Sequence, residues 1–401
     1  MRWSSLNPWK DLAGLPRELW LVALAQFVNR AGTMVMPFLV LYLTSDRGLP
    51  PTRAGLAIAV YGGVALLWAP VSGRLGDRWG QLRMIKASLF TSALVMVLVP
   101  LFRSYPAILA SLVVLALVSE PVRPAAMALV SHLAPPERRR QAFALNRLAV
   151  NLGMSIGPTA GGLLAEVSFE SLFWVDAATS LLAGIFLAVV PFRAPDHVHE
   201  GHGGHTGAAL GDRKLVYAVL ALLPVLLVFF QHTSTMALFL VDSLGFRPSV
   251  YGALFTVNTL LIVFTEVRLN TVTGHWPFAR ALAIGALLAT LGFAALGVAR
   301  SILAVALTVV IWTLGEMILF PTASAYFAEI SPPSRRGEYL GFYTMAFGVA
   351  FSLGPWLGTL ALERWGGVTL WALCGLAGMI SVWMLSRVSG REELPVTAAA
   401  K

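Results

Sequence analysis

The chain has 401 residues, 57% of them hydrophobic and only 12% charged, with a formal net charge of +9. Ordinary soluble domains carry roughly 25% charged residues, so this composition excludes a water-soluble globule. The basic surplus does not form a nucleic-acid face either. With the N-terminus inside, 20 of the 29 Lys and Arg lie on the cytoplasmic side, 6 lie outside, and Arg30, Arg123 and Arg147 lie within spans, which is the positive-inside pattern of a membrane protein.

Crossing a bilayer takes about 20 apolar residues, and twelve stretches qualify. No cleavable signal peptide is expected before them, because Met1–Pro16 is mixed and polar. The first span, Leu19–Leu43, carries Asn29 and Arg30 near its middle and is flanked by Trp3, Trp9 and Trp20. Ala54–Leu75 and Met84–Phe102 follow, joined by a basic loop. The fourth, Ala107–Val130, holds Glu120, Pro121, Arg123 and Pro124. The fifth, Gln141–Ala165, contains Arg147, Gly153, Gly157-Pro158 and Gly161-Gly162. The sixth, Leu172–Pro191, contains Asp176.

Phe192–Arg213 is polar and rich in Gly and His. Its Asp196, His197, His199, Glu200, His202 and His205 have a spacing suited to Zn²⁺ or Ni²⁺. Its Gly content favours a solvated connection whose histidines have no joint task, so no metal site is expected. Beyond it come Leu215–Val241 with Gln231 and His232, Val250–Leu269, Ala281–Ala299, Ile302–Ala328 with Trp312 and Glu316, Tyr339–Leu362, and Thr369–Ser386. Cys374, the single cysteine, lies in the last of these.

The chain repeats itself at an interval of 197 residues. Pro135-Pro136-Glu137-Arg138-Arg139 returns as Pro332-Pro333-Ser334-Arg335-Arg336. Gly48, Trp79, Pro124, Gly157-Pro158 and Glu166 return as Gly245, Trp276, Pro321, Gly354-Pro355 and Glu363. A duplication filling so apolar a chain points to a transporter with two pseudo-equivalent halves. The boundaries that follow are 1–191 and 214–401 for two six-helix bundles, with 192–213 as a cytoplasmic linker.

Between the second and third spans lies Gly73-Arg74-Leu75-Gly76-Asp77-Arg78-Trp79-Gly80-Gln81-Leu82-Arg83. Gly73 and Gly80 suit a tight turn. The segment resembles the G-x-L-x-D-R-x-G-R-K loop of the major facilitator superfamily at Gly73, Leu75, Asp77, Arg78 and Gly80. It departs from that pattern at Gln81 and Leu82. Within the fifth span, Gly153, Gly157, Pro158, Gly161 and Gly162 are similar to the G-x-x-x-G-P-x-x-G-G motif of drug:proton antiporters of that superfamily. Generic small-residue helix packing gives the same spacing.

The resemblance implies an all-α membrane protein, with 12 transmembrane helices in two pseudo-symmetric six-helix bundles. It implies that the loop gates the change of state and that the span-five motif closes the outer side. Spans one, four, seven and ten then line a central cavity. No cofactor is implied, and no Walker-type phosphate loop or nucleophile–base pair suggests an enzyme.

Charge inside a bilayer costs at least about 2.5–3.5 kcal/mol and faces a cavity or a partner. Glu120, Glu316, Arg30, Arg123 and His232 are therefore the candidates for proton coupling. Asn29, Gln231 and Trp312 join Arg30, Glu120, Arg123, His232 and Glu316 as candidates for lining the substrate cavity. The i,i+3 spacing of Glu120 and Arg123 puts them on one helix face, either as a working pair or as a static ion pair.

The expected function is proton-coupled efflux of small amphipathic compounds by a monomer in the inner (plasma) membrane, with both termini cytoplasmic. Its partners would be the small-molecule substrate, protons and the lipid bilayer, with no nucleic acid. The alternative is a proton-coupled symporter importing zwitterions such as short peptides, with Arg30 and Arg123 opposite Glu316. A lipid flippase or a non-coupled membrane receptor would share the topology.

Overall fold

A computed structural model describes residues 14–192, 211–332 and 335–388. The His-rich part of the linker, Trp3, Trp9 and Pro333-Ser334 lie outside the described residues. In hydrocarbon every backbone N–H and C=O must be satisfied within the chain, so the apolar stretches fold as helices. In chain order these are α1 (Arg17–Ala31), α2 (Val35–Leu41), α3 (Pro51–Trp79), α4 (Gln81–Leu98), α5 (Tyr105–Ser119), α6 (Val122–Leu133) and α7 (Arg139–Ala165). There follow α8 (Phe169–Val189), α9 (Arg213–Phe229), α10 (Thr235–Leu238), α11 (Pro248–Thr273), α12 (Phe278–Ala295), α13 (Ile302–Ile330) and α14 (Arg336–Leu385).

Eleven candidate spans among the described residues are long and apolar enough to cross a membrane. The fifty-residue α14 would extend about 75 Å if straight, more than twice the ~30 Å hydrocarbon core. It is interrupted at Gly366 (φ 77, ψ 172), in the short interval the sequence leaves between its last two expected spans.

Three expected spans are not continuous helices. The first is broken between α1 and α2 around Gly32–Met34. The fourth is broken between α5 and α6 at Glu120-Pro121. The seventh passes from α9 through a 3-10 turn at Phe230–Thr233 into α10. Pro121 removes an N–H donor and crowds the preceding turn, which accounts for the break in the fourth span. The repeat carries Ile318 at the matching position, and α13 runs unbroken there.

Spans one and seven also end alike, in π-helical turns at Tyr42–Asp46 and Phe239–Ser243. These stand at the 197-residue interval of the duplication. Each turn is followed by a glycine at positive φ, Gly48 (65°) or Gly245 (71°), and then by the Pro that opens α3 or α11. Pro at a first helical position gives up only an N–H that has no helical partner.

The described parts of the chain form two compact units. Residues 14–48, 60–192 and 247–259 make one. Residues 49–59, 211–246, 260–332 and 335–388 make the other. The core of the first is built by α1, α4, α6, α7 and α8, with Leu19, Ile85, Ala126, Leu129 and Leu145 buried. The core of the second is built by α9, α12, α13 and α14, with Leu222, Ala286, Leu319, Phe327 and Tyr339 buried. Close helix approach in the second rests on glycine. A Cβ on Gly285 would lie 2.8 Å from the Leu319 nitrogen, and one on Gly292 2.6 Å from the Trp312 nitrogen.

Candidate functional site

In the first unit the break in span one is held by α8. The N–H groups of Met34 and Val35, left without helical partners where α2 restarts, both donate to Asp176 Oδ2 at 3.4 Å. One turn along α8, Ser180 Oγ accepts from Asn29 Nδ2 at 3.0 Å. Asp176 is buried. A carboxylate at a helix N-terminus meets both the orphan donors and the helix dipole there, so Asp176 acts as a cap supplied by another helix.

Glu120 stands at the break in span four. It accepts a hydrogen bond from the Tyr61 hydroxyl at 2.7 Å, and that hydroxyl lies 3.1 Å from Ser119 Oγ. Arg30 lies in the field of Glu120, Arg123, Tyr61 and Asp176, and its Nε is buried without a hydrogen-bond partner among the described residues. The continuous face expected for Glu120 and Arg123 is interrupted by Pro121. Glu120 ends one helix, Arg123 is exposed in the first turn of the next, and a 3.3 Å bond from the Arg123 N–H to the Glu120 carbonyl bridges the break.

The glycines of the span-five motif face these same elements. A Cβ on Gly153 would meet Arg30 Cβ at 2.6 Å, and one on Gly157 would meet the Thr33 and Arg30 carbonyl oxygens at 2.9 and 3.1 Å. One on Gly161 would meet Met34 Cβ at 3.1 Å. Spaced i, i+4 and i+8, the three make a groove in which the broken part of span one lies. Gly162 faces the start of α11, where a Cβ would come 2.8 Å from the Pro248 oxygen. Thr159 beside it bonds to Thr256 of α11.

In the second unit the break in span seven is held differently. Gln231 is buried; its Nε2 donates to the carbonyls of Leu227 (2.8 Å) and Gly354 (2.9 Å), and its Oε1 accepts from Thr235 Oγ1 (2.8 Å). His232 lies among aromatic rings: Trp312 at 5.9 Å and Phe230 at 6.1 Å, both nearly parallel to it, and Phe229 at 4.6 Å. Its Nδ1 lies 2.6 Å from the Phe229 carbonyl oxygen. Glu316 is half-buried on α13, one turn beyond Trp312.

A family model described as Major Facilitator Superfamily matches residues 22–323 and again 222–400. The chain belongs to the major facilitator superfamily. It is 27% identical over 364 residues to the uncharacterized MFS-type transporter YttB of Bacillus subtilis (strain 168), covering 88% of this chain and 90% of the relative. It is 24% identical over 377 residues to the multidrug resistance protein MdtH of Proteus mirabilis (strain HI4320), covering 90% and 92%. Among solved structures, the nucleoside transporter NupG superposes with a TM-score of 0.80 at 12% identity, over 92% of this chain and 98% of that one, which shows a shared fold. The chain is thus a multi-pass membrane transporter of small molecules and not an enzyme.

The superfamily loop differs from its sequence reading in extent. Gly73 lies inside α3, and the turn is made at Gly80 alone (φ 91°), whose N–H donates to the Gly76 carbonyl at 2.9 Å. Gln81, which replaces a basic residue of the signature, donates from Nε2 to Asp77 Oδ1 at 2.8 Å, while Arg78 is exposed. The local acid is thus held by a neutral amide.

Sequence reasoning passed over Tyr61, Ser119 and Ser180. A tyrosine or serine in an apolar span is no anomaly, and Tyr61 meets Glu120 across 59 residues of chain. Asp176, just inside the sixth span, reads from sequence as structural or rim-lining; that it caps α2 does not show there, because the donors it serves exist only where span one breaks.

Proposed function

We propose that this transporter exports small amphipathic compounds from the cytoplasm in exchange for protons. It would act by alternating access, as a monomer in the bacterial inner membrane with both termini cytoplasmic. The six-helix bundles would comprise 1–191 and 214–401. The observation that carries the reading is Glu120, a carboxylate at a break in a membrane helix that takes its hydrogen bond from a neutral tyrosine, with Arg30 and Arg123 close by. Ionised, Glu120 attracts Arg30; protonated, it releases it. Proton and substrate are then linked through one equilibrium. Efflux is favoured by the span-five motif and by relatives such as MdtH, which is named a multidrug resistance protein.

Proteoliposomes with an imposed pH gradient test it. Export requires substrate to move against the proton flow. Movement with the flow would instead establish the symporter, and transport indifferent to both the gradient and Glu120→Gln would sink proton coupling.

A further inference from the structure

We propose that Tyr61 and Ser119 form a reversible hydrogen-bond switch that positions Glu120 for both of its protonation states. This rests on reading Glu120 as a proton carrier and names the residues that set its hold on the proton.

The Tyr61 hydroxyl has one hydrogen and two neighbours, Glu120 Oε1 at 2.7 Å and Ser119 Oγ at 3.1 Å. Among the described residues it is the only hydrogen-bond partner of the Glu120 carboxyl. Ser119 Oγ donates at 2.7 Å to the carbonyl of Leu115, one turn back in α5, a bond that serines make readily within helices. Its own hydrogen is thus engaged, and its lone pairs are left to accept from Tyr61. Tyr61 is buried, where a donor without an acceptor is costly.

Donors and acceptors balance in both states. With Glu120 ionised, Tyr61 donates to the carboxylate and Ser119 to Leu115. When a proton binds Oε1, the carboxyl donates to the Tyr61 oxygen, the Tyr61 hydrogen turns to Ser119 Oγ, and the bond from Ser119 to Leu115 stays as it was. Three donors then meet three acceptors after rotation of one hydroxyl. Without Ser119 the ionised state loses nothing, while the protonated state has a donor with no acceptor. Without Tyr61 the ionised state loses the stronger, charge-assisted bond. Removing the two residues therefore shifts proton binding in opposite directions. Arg30 of α1 lies in the field of Glu120, with Arg123 of α6 and Asp176 of α8; these charges are the same in every variant. The duplication has Asn258, Glu316 and Met317 at the positions matching Tyr61, Ser119 and Glu120, so the switch is particular to the first half.

Infrared difference spectra of the protein in nanodiscs, with no substrate and no gradient, test this. The probe is the protonated-carboxyl band that Glu120→Gln abolishes, titrated over the pH range in which the protein stays folded. Ser119→Ala should lower its midpoint by roughly 0.4–1 pH unit, and Tyr61→Phe should raise it by a similar amount. Ser119→Thr, which keeps the hydroxyl, should restore the wild-type midpoint. Because Ser119 acts only through Tyr61, adding Ser119→Ala to Tyr61→Phe should shift nothing further. An unshifted or raised midpoint in Ser119→Ala overturns the proposal, as does an additive shift in the double variant or the lack of any band that depends on Glu120. Ser119→Ala decides alone should Tyr61→Phe not fold. A band that titrates and moves with Ser119, beside transport indifferent to the proton gradient, would sink exchange and leave the switch standing. Gradient-driven transport with an unshifted Ser119→Ala would do the reverse.

Discussion

Spans one and seven are copies of each other, and they break at matching depth, yet what holds the two breaks differs in kind. In the first unit, α8 supplies an ionisable cap, Asp176, and the neighbouring polar groups are Arg30, Tyr61 and Glu120. In the second, Leu373 stands where the repeat would place a second Asp176. The break there is satisfied by the span's own Gln231 and Thr235 and surrounded by aromatic rings. Duplication preserved the backbone path, down to the π-helical turns at Tyr42 and Phe239, while the side-chain chemistry diverged. A backbone break costs the same hydrogen bonds wherever it falls, but charge or aromatic surface can fill the space it opens.

The sharpest way to break this contrast is to neutralise the acids one at a time. If charge handling is concentrated in the first unit, Glu120→Gln should reduce pH-driven transport about 100-fold, the scale of losing a positioned proton carrier. Glu316→Gln should cost markedly less. Proteoliposome uptake rates at matched protein incorporation check both. A larger loss from Glu316→Gln would reverse the comparison.

The next effect is steric and sets two repeat-related glycines against each other. A Cβ at Gly157 meets backbone oxygens at 2.9–3.2 Å, whereas one at Gly354 meets the Leu227 oxygen at 3.2 Å and then a side-chain atom at 3.4 Å. Overpacking costs typically about 1–3 kcal/mol. Gly157→Ala should lie towards the top of that range, because carbonyls in a broken segment have little room to give. Gly354→Ala should lie near the bottom. Denaturant unfolding in detergent distinguishes them, and equal losses would mean that span one is held no more tightly than span seven.

Asp176→Ala, expected to cost about 1–3 kcal/mol for each orphaned buried donor, tests whether the cap is needed. Asp176→Asn keeps one acceptor and should recover part of that loss. Full recovery would show that the charge contributes nothing beyond its hydrogen bonds.

The membrane class, the duplication and the family were legible in the sequence, because each is written in periodic or contiguous residues. The twelve apolar stretches follow from composition alone, and the span-five glycines from their spacing. The breaks were not legible, with the partial exception of Pro121. Gly32 and Ser234 are residues that unbroken membrane helices also tolerate. Glu120 could be picked out as a misfit in an apolar helix, but Tyr61 could not, because its part appears only once distant helices are packed together.

The smallest effects concern two acids that the duplication did preserve in role. Glu166, just after α7, accepts from the Ser249 N–H at the start of α11 at 3.3 Å. Glu363, its repeat, accepts from the Thr52 N–H at the start of α3 at 2.8 Å. Each acid thus caps the helix that follows a positive-φ glycine and a proline. Both are exposed, so Glu166→Gln and Glu363→Gln should each shift the unfolding midpoint only slightly. Their similarity would mark the caps as the conserved frame around divergent interiors. The pH dependence has a definite sign. Hydrogen bonding from Ser249, with Arg247 nearby, holds Glu166 below its ordinary value. Its contribution is therefore present above the usual carboxylate range of about 4.3 and is lost as pH falls through the depressed folded-state value. Wild type and Glu166→Gln should differ by a constant small amount between neutral pH and about 5, and converge only in stronger acid. Convergence already near neutral pH would mean that the carboxylate is not held by the helix start, and the likeness of the two caps would fail with it.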